Sequence, residues 1–277
     1  MHPSAVVLPL LFMTAAFAGE HAPARPIAEL SHIHGVVLPA GSDDVLLATH
    51  HGLYSVDAEG MATMISATAD DFMGFTTSTD GKLFASGHPA SGGNTGVIGA
   101  DHAGSGWILL SPGANGPVDF HAMTVSPSDP QTLYGSYGGI QASRNGGLTW
   151  SVAGPGPDDL IDLAAAADDP GHLYAGTITG LYESFDFGRS WAAATDIAMP
   201  VTALETAPDG TVWGFIPNLG LHRLNGSDLE MASPITDAVV LHMAFDPDDP
   251  ARMVAVTSDS EVLSSGNGGK TWSPLVP

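Results

Sequence analysis

Cysteine is absent from all 277 residues. That excludes a disulfide framework, a zinc knuckle and a thiol nucleophile, and leaves His, Met and carboxylate as the side chains able to hold a metal. Positive charge is almost as scarce: seven Lys and Arg stand against 30 Asp and Glu, a formal net charge of −23. Nucleic acid and anionic membrane both require basic footprints, so neither is expected as a partner. The surplus acid reads first as solvated surface that maintains solubility, and it suits a cationic partner. Long amphipathic helical patterns are missing too. Beyond the N-terminal residues no stretch is apolar enough to span a bilayer.

The chain opens with MHPSAVVLPLLFMTAAFA. Its apolar run from Ala5 to Phe17 is too short for a stable anchor and ends in Ala16-Phe17-Ala18, the small-x-small pattern read by signal peptidase. The segment departs from the usual leader in having no Lys or Arg before the run. Residues 1–18 are expected to be a cleaved signal peptide, residues 19–26 a short tail and residues 27–277 a single domain. The mature protein is then periplasmic or secreted, with no membrane span. Cleavage after Ala18 would expose Gly19-Glu20-His21, a terminal amine with His third, which is a secondary candidate for copper(II).

An octapeptide occurs three times: SRNGGLTW at Ser143–Trp150, SFDFGRSW at Ser184–Trp191 and SGNGGKTW at Ser265–Trp272. The first two begin 41 residues apart and the third begins 81 residues after the second. A period of about 40 residues is the mark of an array of four-stranded units. The pattern resembles the Asp-box, S-x-D-x-G-x-T-W, of the BNR-repeat β-propellers, a superfamily that includes sialidases, sortilin-type receptors and a photosystem II assembly factor. The acidic position holds Asn145, Asp186 and Asn267 here, so two copies carry the amide. The resemblance implies a propeller in which each box closes an outer hairpin.

Six units follow from aligning the segments, starting near residues 31, 71, 118, 159, 200 and 239. Their first strands read SHIHGVV, DFMGFTT, DFHAMTV, LIDLAAA, VTALETA and LHMAFDP. All are short and apolar, as expected of strands buried between neighbouring blades, and most are followed by Asp/Gly/Pro turns. An all-β, six-bladed propeller of four-stranded antiparallel blades is the economical architecture, because radial closure removes exposed sheet edges. A seven-bladed ring is the alternative, with the Gly/Ser/Ala-rich stretch from Pro89 to Gly106 masking a blade.

Twelve histidines in a chain with seven Lys and Arg form an odd ratio. In the aligned first strands one column holds His34, Met73, His121, Asp162, Thr202 and His242. First strands line a propeller's channel, so this column predicts a ring of side chains, with His and Met on the contiguous blades six, one, two and three. Antiparallel pairing brings the ends of second strands, at His50, His51 and His88, to the same mouth, and His32 shares a strand side with His34. Singly, each is an ordinary packing residue, Met73 above all. Jointly they form a candidate metal site: His34, His121 and His242 as ring ligands, with His32, His50, His51, Met73 and His88 completing it. Imidazole with thioether points to copper first and zinc second, in metal handling or delivery.

Two other functions compete. The first is a scaffold whose flat face docks another exported protein, as the resemblance to sortilin-like and assembly-factor proteins implies. The second is a glycoside hydrolase using Asp71, Asp119 and Asp162, since such enzymes need two carboxylates roughly 5–10 Å apart. Sialidase chemistry, as the family implies it, needs three clustered arginines. Arg25, Arg144, Arg189, Arg223 and Arg252 fall in the tail, the boxes, an outer strand and the start of a second strand on the other side of the ring from the histidines, so no such cluster is expected.

Overall fold

The computed structural model describes residues 23–276; the leader expected over residues 1–18 and His21 lie outside them. Six antiparallel sheets follow one another along the chain, five in sequential strand order and one with an added N-terminal strand at its outer edge. Their first strands are Ile33–Val37, Asp71–Thr77, Met123–Val125, Leu160–Ala165, Thr202–Thr206 and Val240–Phe245. They form a six-bladed β-propeller. The Pro89–Gly106 stretch hides no blade: it contains Val97–Ala100, the third strand of blade two, flanked by loops. Arg25–Pro26, expected in the tail, adds a fifth strand to blade one by pairing with Met61 and Ala62.

Apolar alternation makes the blades, and their stacking makes the core. Second strands such as Val45–Thr49, Leu173–Thr177 and Met253–Thr257 are buried along their whole length, because both faces pack on neighbouring sheets. The ring closes without strand exchange. Val36 and Val45 of blade one share an apolar cluster with Val254 and Val256 of blade six. Polar contacts fix the seam: Gly41 N–H donates to Asp248 Oδ2 (2.7 Å) and Arg252 Nη1 to Ser42 O (3.3 Å), while Arg252 also pairs with Asp246 (2.9 Å) and reaches the Asp43 carbonyl.

The three octapeptides fold identically on the outer hairpins between third and fourth strands. In the first, Ser143 Oγ accepts from Gly147 N–H (3.0 Å), Asn145 Oδ1 from Thr149 N–H (2.9 Å), and Trp150 Nε1 donates to Gly147 O (2.9 Å). The bond from Thr149 needs only an acceptor oxygen, so Asn serves as well as Asp. Where Asp186 stands, it accepts the Ser190 hydroxyl (2.6 Å) and amide (2.9 Å), which hold its carboxyl down to about 2.

First strands run from the histidine mouth to the opposite face, and most carry a β-bulge near their start. In blade one, Ile33 pairs with Thr49 and Gly35 with Ala48, leaving His34 as the extra residue. In blade four, Asp162 pairs with Gly176, and in blade six His242 with Val256, leaving Ile161 and Leu241 as the extras. A bulge re-aims the side chain it carries.

Candidate metal centre

The bulges rearrange the predicted ring. By register, the position of Asp162 and His242 is taken in blade one by Gly35, not His34. In blade three Ala122 O accepts from Ser136 N–H (3.0 Å) and Met123 pairs with Gly135, which puts Ala122 at that level and His121 one residue earlier. The sequence column therefore mixes two levels. His34 and His121 belong to the rim of the channel, whereas His242 lines the cavity below it.

At the rim, two carboxylates organise four imidazoles. Asp71 opens the first strand of blade two, and Asp119 occupies the same place before that of blade three. Asp71 Oδ2 lies 3.4 Å from His50 Nε2 and 3.2 Å from His88 Nε2, and its Oδ1 is 3.9 Å from His34 Nε2. Asp119 Oδ2 lies 3.2 Å from both His88 Nδ1 and His121 Nε2. The result is a chain from His34 and His50 through Asp71, His88 and Asp119 to His121, spanning blades one to three. His32 and His51 flank it: the rings of His50 and His32 are 4.8 Å apart, those of His50 and His34 4.5 Å, and those of His50 and His51 6.3 Å. Met73 is buried, at 8% exposure, pairs with Ser86, and is not among the residues this chain of contacts connects.

Backbone conformation holds these groups in place. His88 reaches Asp71 because the second strand of blade two continues past Gly87, which has φ +133° and pairs with Phe72. A Cβ on Gly87 would fall 2.0 Å from the Asp71 carbonyl oxygen, so only glycine lets the two strands approach there. His32 adopts φ +53°, and its N–H donates to Ser260 Oγ across the closure (2.9 Å).

The electrostatics divide the cluster. Burial, with repulsion from the His50, His242, His121 and His32 imidazoles when these are protonated, pushes His34 down to about 4, so its ring is neutral at pH 7 with a free lone pair. Burial raises the Asp71 carboxyl, partly offset by His50 and His88. For Asp119, burial pushes upward but is outweighed by hydrogen bonds and charge from His121 and His88, so its pKa falls below the ordinary range. The Asp119 hydrogen bond raises His121. His34 Nε2, Asp71 Oδ1 and Asp119 Oδ1 are buried without any hydrogen-bond partner, a costly condition unless something satisfies them.

His34, His50 and Asp71 offer one ligand atom each within 4.8 Å of one another. Tetrahedral zinc with bonds of about 2.0–2.1 Å places its donors roughly 3.3 Å apart. The 3.4 Å from His50 to Asp71 matches, and the 3.9 Å to His34 needs a few tenths of an ångström of closure. The orphaned atoms and this donor set fit a transition metal. The two rim carboxylates join the imidazoles rather than stand apart from them. Their signal in the sequence is Asp-Phe in units two and three at one alignment position, a pair read above as catalytic carboxylates. As catalytic carboxylates the three do not share a surface. Asp71 and Asp119 sit among imidazoles at the rim, while Asp162 lines the cavity and accepts from Leu163 N–H and Leu204 N–H (both 2.9 Å).

No protein-family model and no curated protein sequence matches the chain. Solved structures do. A putative gluconolactonase is 14% identical with a TM-score of 0.68, over 92% of this chain and 95% of that one. A GH74 enzyme of Niastella koreensis is 17% identical with a TM-score of 0.65, over 88% of this chain and 45% of that one. The WD40 propeller of Doa1 is 14% identical with a TM-score of 0.52, over 83% of this chain and 91% of that one. The chain thus spans less than half the length of the GH74 enzyme. At such identities the likeness is one of fold alone.

Proposed function

We propose that the histidine–aspartate rim is a transition-metal site with His34, His50 and Asp71 as its inner ligands and His88 beside them. One observation carries this reading: a neutral imidazole nitrogen and a carboxylate oxygen are buried face to face 3.9 Å apart, neither with a partner. An ion between them would satisfy both. Asp119 orients His88 and His121, as carboxylates beside metal-bound imidazoles do. These inner ligands are imidazole and carboxylate, a set that does not select copper(I) as thioether would. The same set suits copper(II) or zinc, and His121 and His88 with Asp119 would be the ligands of a second ion. When bound, the metal would supply a Lewis-acidic centre at an open rim. Handling or delivery of the ion fits a site accessible from one face.

We further infer a BNR-type propeller in an exported protein, supported by three hairpins with one hydrogen-bond pattern and by the N-terminal sequence; N-terminal sequencing of the mature protein, expected to begin at Gly19, tests the export. For the metal, elemental analysis of untagged protein dialysed against copper or zinc should give about one tightly held ion. Absence of copper and zinc binding at micromolar concentration from folded protein would end the proposal. It would leave the second reading, a docking scaffold, for which the exposed Tyr137 and Ile178 on hairpins of the same face speak.

A further inference from the structure

Below the rim, the channel widens into a cavity of about 480 Å³ that opens on the opposite face, past Ser78, Pro127 and Pro208. Its walls are mostly apolar side chains and Thr, a composition and size typical of a small-molecule site. Blades one to three present no titratable side chain to it; blades four, five and six present Asp162, Glu205 and His242. Among the described residues no Lys or Arg lines it.

These three groups are incompletely paired. Glu205 Oε1 accepts from Thr206 N–H (3.2 Å), whereas Oε2 and both nitrogens of His242 have no hydrogen-bond partner among the described residues. Burial and the neighbouring Asp162 push Glu205 up to about 8, and burial pushes Asp162 up to about 7 despite its two backbone bonds. Burial takes His242 down to about 4, so it brings no positive charge at pH 7. Asp162, Glu205 and His242 are half-buried in the cavity wall, and the two carboxyl groups have no cationic side chain lining the cavity with them among the described residues; perturbed groups of this kind inside a cavity mark functional sites.

We propose that this cavity binds a small organic cation, a primary ammonium on an apolar body, with Glu205 and Asp162 as its anionic partners and the apolar wall enclosing the rest. The site lies below the metal rim and uses none of its proposed ligands. Binding is coupled to a proton: the ligand enters as the ammonium ion, the Glu205 carboxyl loses its proton to buffer, and the resulting carboxylate accepts from the ammonium N–H groups.

Calorimetry with benzylammonium, against benzyl alcohol as its neutral counterpart, tests the proposal on the full chain. Expected is a preference for benzylammonium of about ten-fold or more, equivalent to about 1.4 kcal/mol, that disappears in Glu205→Gln. In the unaltered protein, titration at pH 7 in buffers of different ionisation enthalpy should show about one proton released, and almost none at about pH 8.5, where Glu205 is mostly ionised and benzylammonium still keeps its proton; this decides the matter even where the variant misfolds. No saturable binding at 10 mM (roughly the weak limit for a fragment), equal affinity for the alcohol, binding without proton release, or a preference that survives in Glu205→Gln would each overturn it. Calcium taken up in place of benzylammonium would overturn it as well.

Discussion

The two ends of one channel handle buried charge in opposite ways. At the rim, carboxylates and imidazoles interleave, so each ionised group has a neighbour of the other kind, and the atoms left over face one another as a ligand set would. In the cavity, two carboxyl groups face an imidazole held neutral by burial, and no cation is nearby. The first arrangement is ready for an ion that both donor types can share. The second stays neutral by keeping its protons. The same fold supplies both, because six first strands converge on one axis and a side chain's level decides which company it keeps.

The largest expected effect comes from the backbone that makes the rim. Gly87→Ala places a Cβ against the Asp71 carbonyl and should cost about 3 kcal/mol or more, with loss of metal binding and little change in benzylammonium affinity once folded. Chemical denaturation and elemental analysis check it. Next, Asp71→Asn keeps shape but removes the shared carboxylate. Metal affinity should fall about 100-fold while the cavity ligand binds as before, and equal losses at both sites would dissolve the distinction between them.

pH separates the two ends by sign. His34 and His242 take up protons at 6.5 when unfolded and at about 4 when folded. Between those values the unfolded state holds more protons, so these groups destabilise the fold as pH falls. Glu205 runs the other way, from 4.5 unfolded to about 8 folded: the folded state keeps the extra proton, and its contribution fades as pH rises to about 8. Urea unfolding of the metal-free protein between pH 7 and 8 should therefore show a decline that Glu205→Gln largely removes, by at most about 1.4 kcal/mol per pH unit. A variant as steep as the unaltered protein would place the origin elsewhere. Smallest is the seam: Arg252→Ala should cost about 1–2 kcal/mol, measured by denaturation, with both sites unchanged.

Legibility in the sequence varied with the range of the interaction. The octapeptides and the turn-punctuated apolar runs specify hairpins locally, so six blades could be counted from them. Converging histidines were also visible: His50, His51 and His88 end second strands, and pairing carries them to the mouth. The bulge at His34 was not visible, because nothing in SHIHGVV distinguishes the residue that pairs from the one that is extruded. Nor was the central place of Asp71, which follows from how closely Gly87 lets two strands approach.

The residues alone determined the repeat, the all-β blades, the absence of thiol chemistry and the face on which imidazoles gather, since each depends on periodicity, composition or neighbours in sequence. Tertiary structure decided which donors meet: it set His34 against Asp71, buried Met73, sent His242 down to the cavity and left Glu205 without a cation. Register shifts of one residue and contacts between blades some 40 residues apart control those outcomes, and no local pattern encodes either.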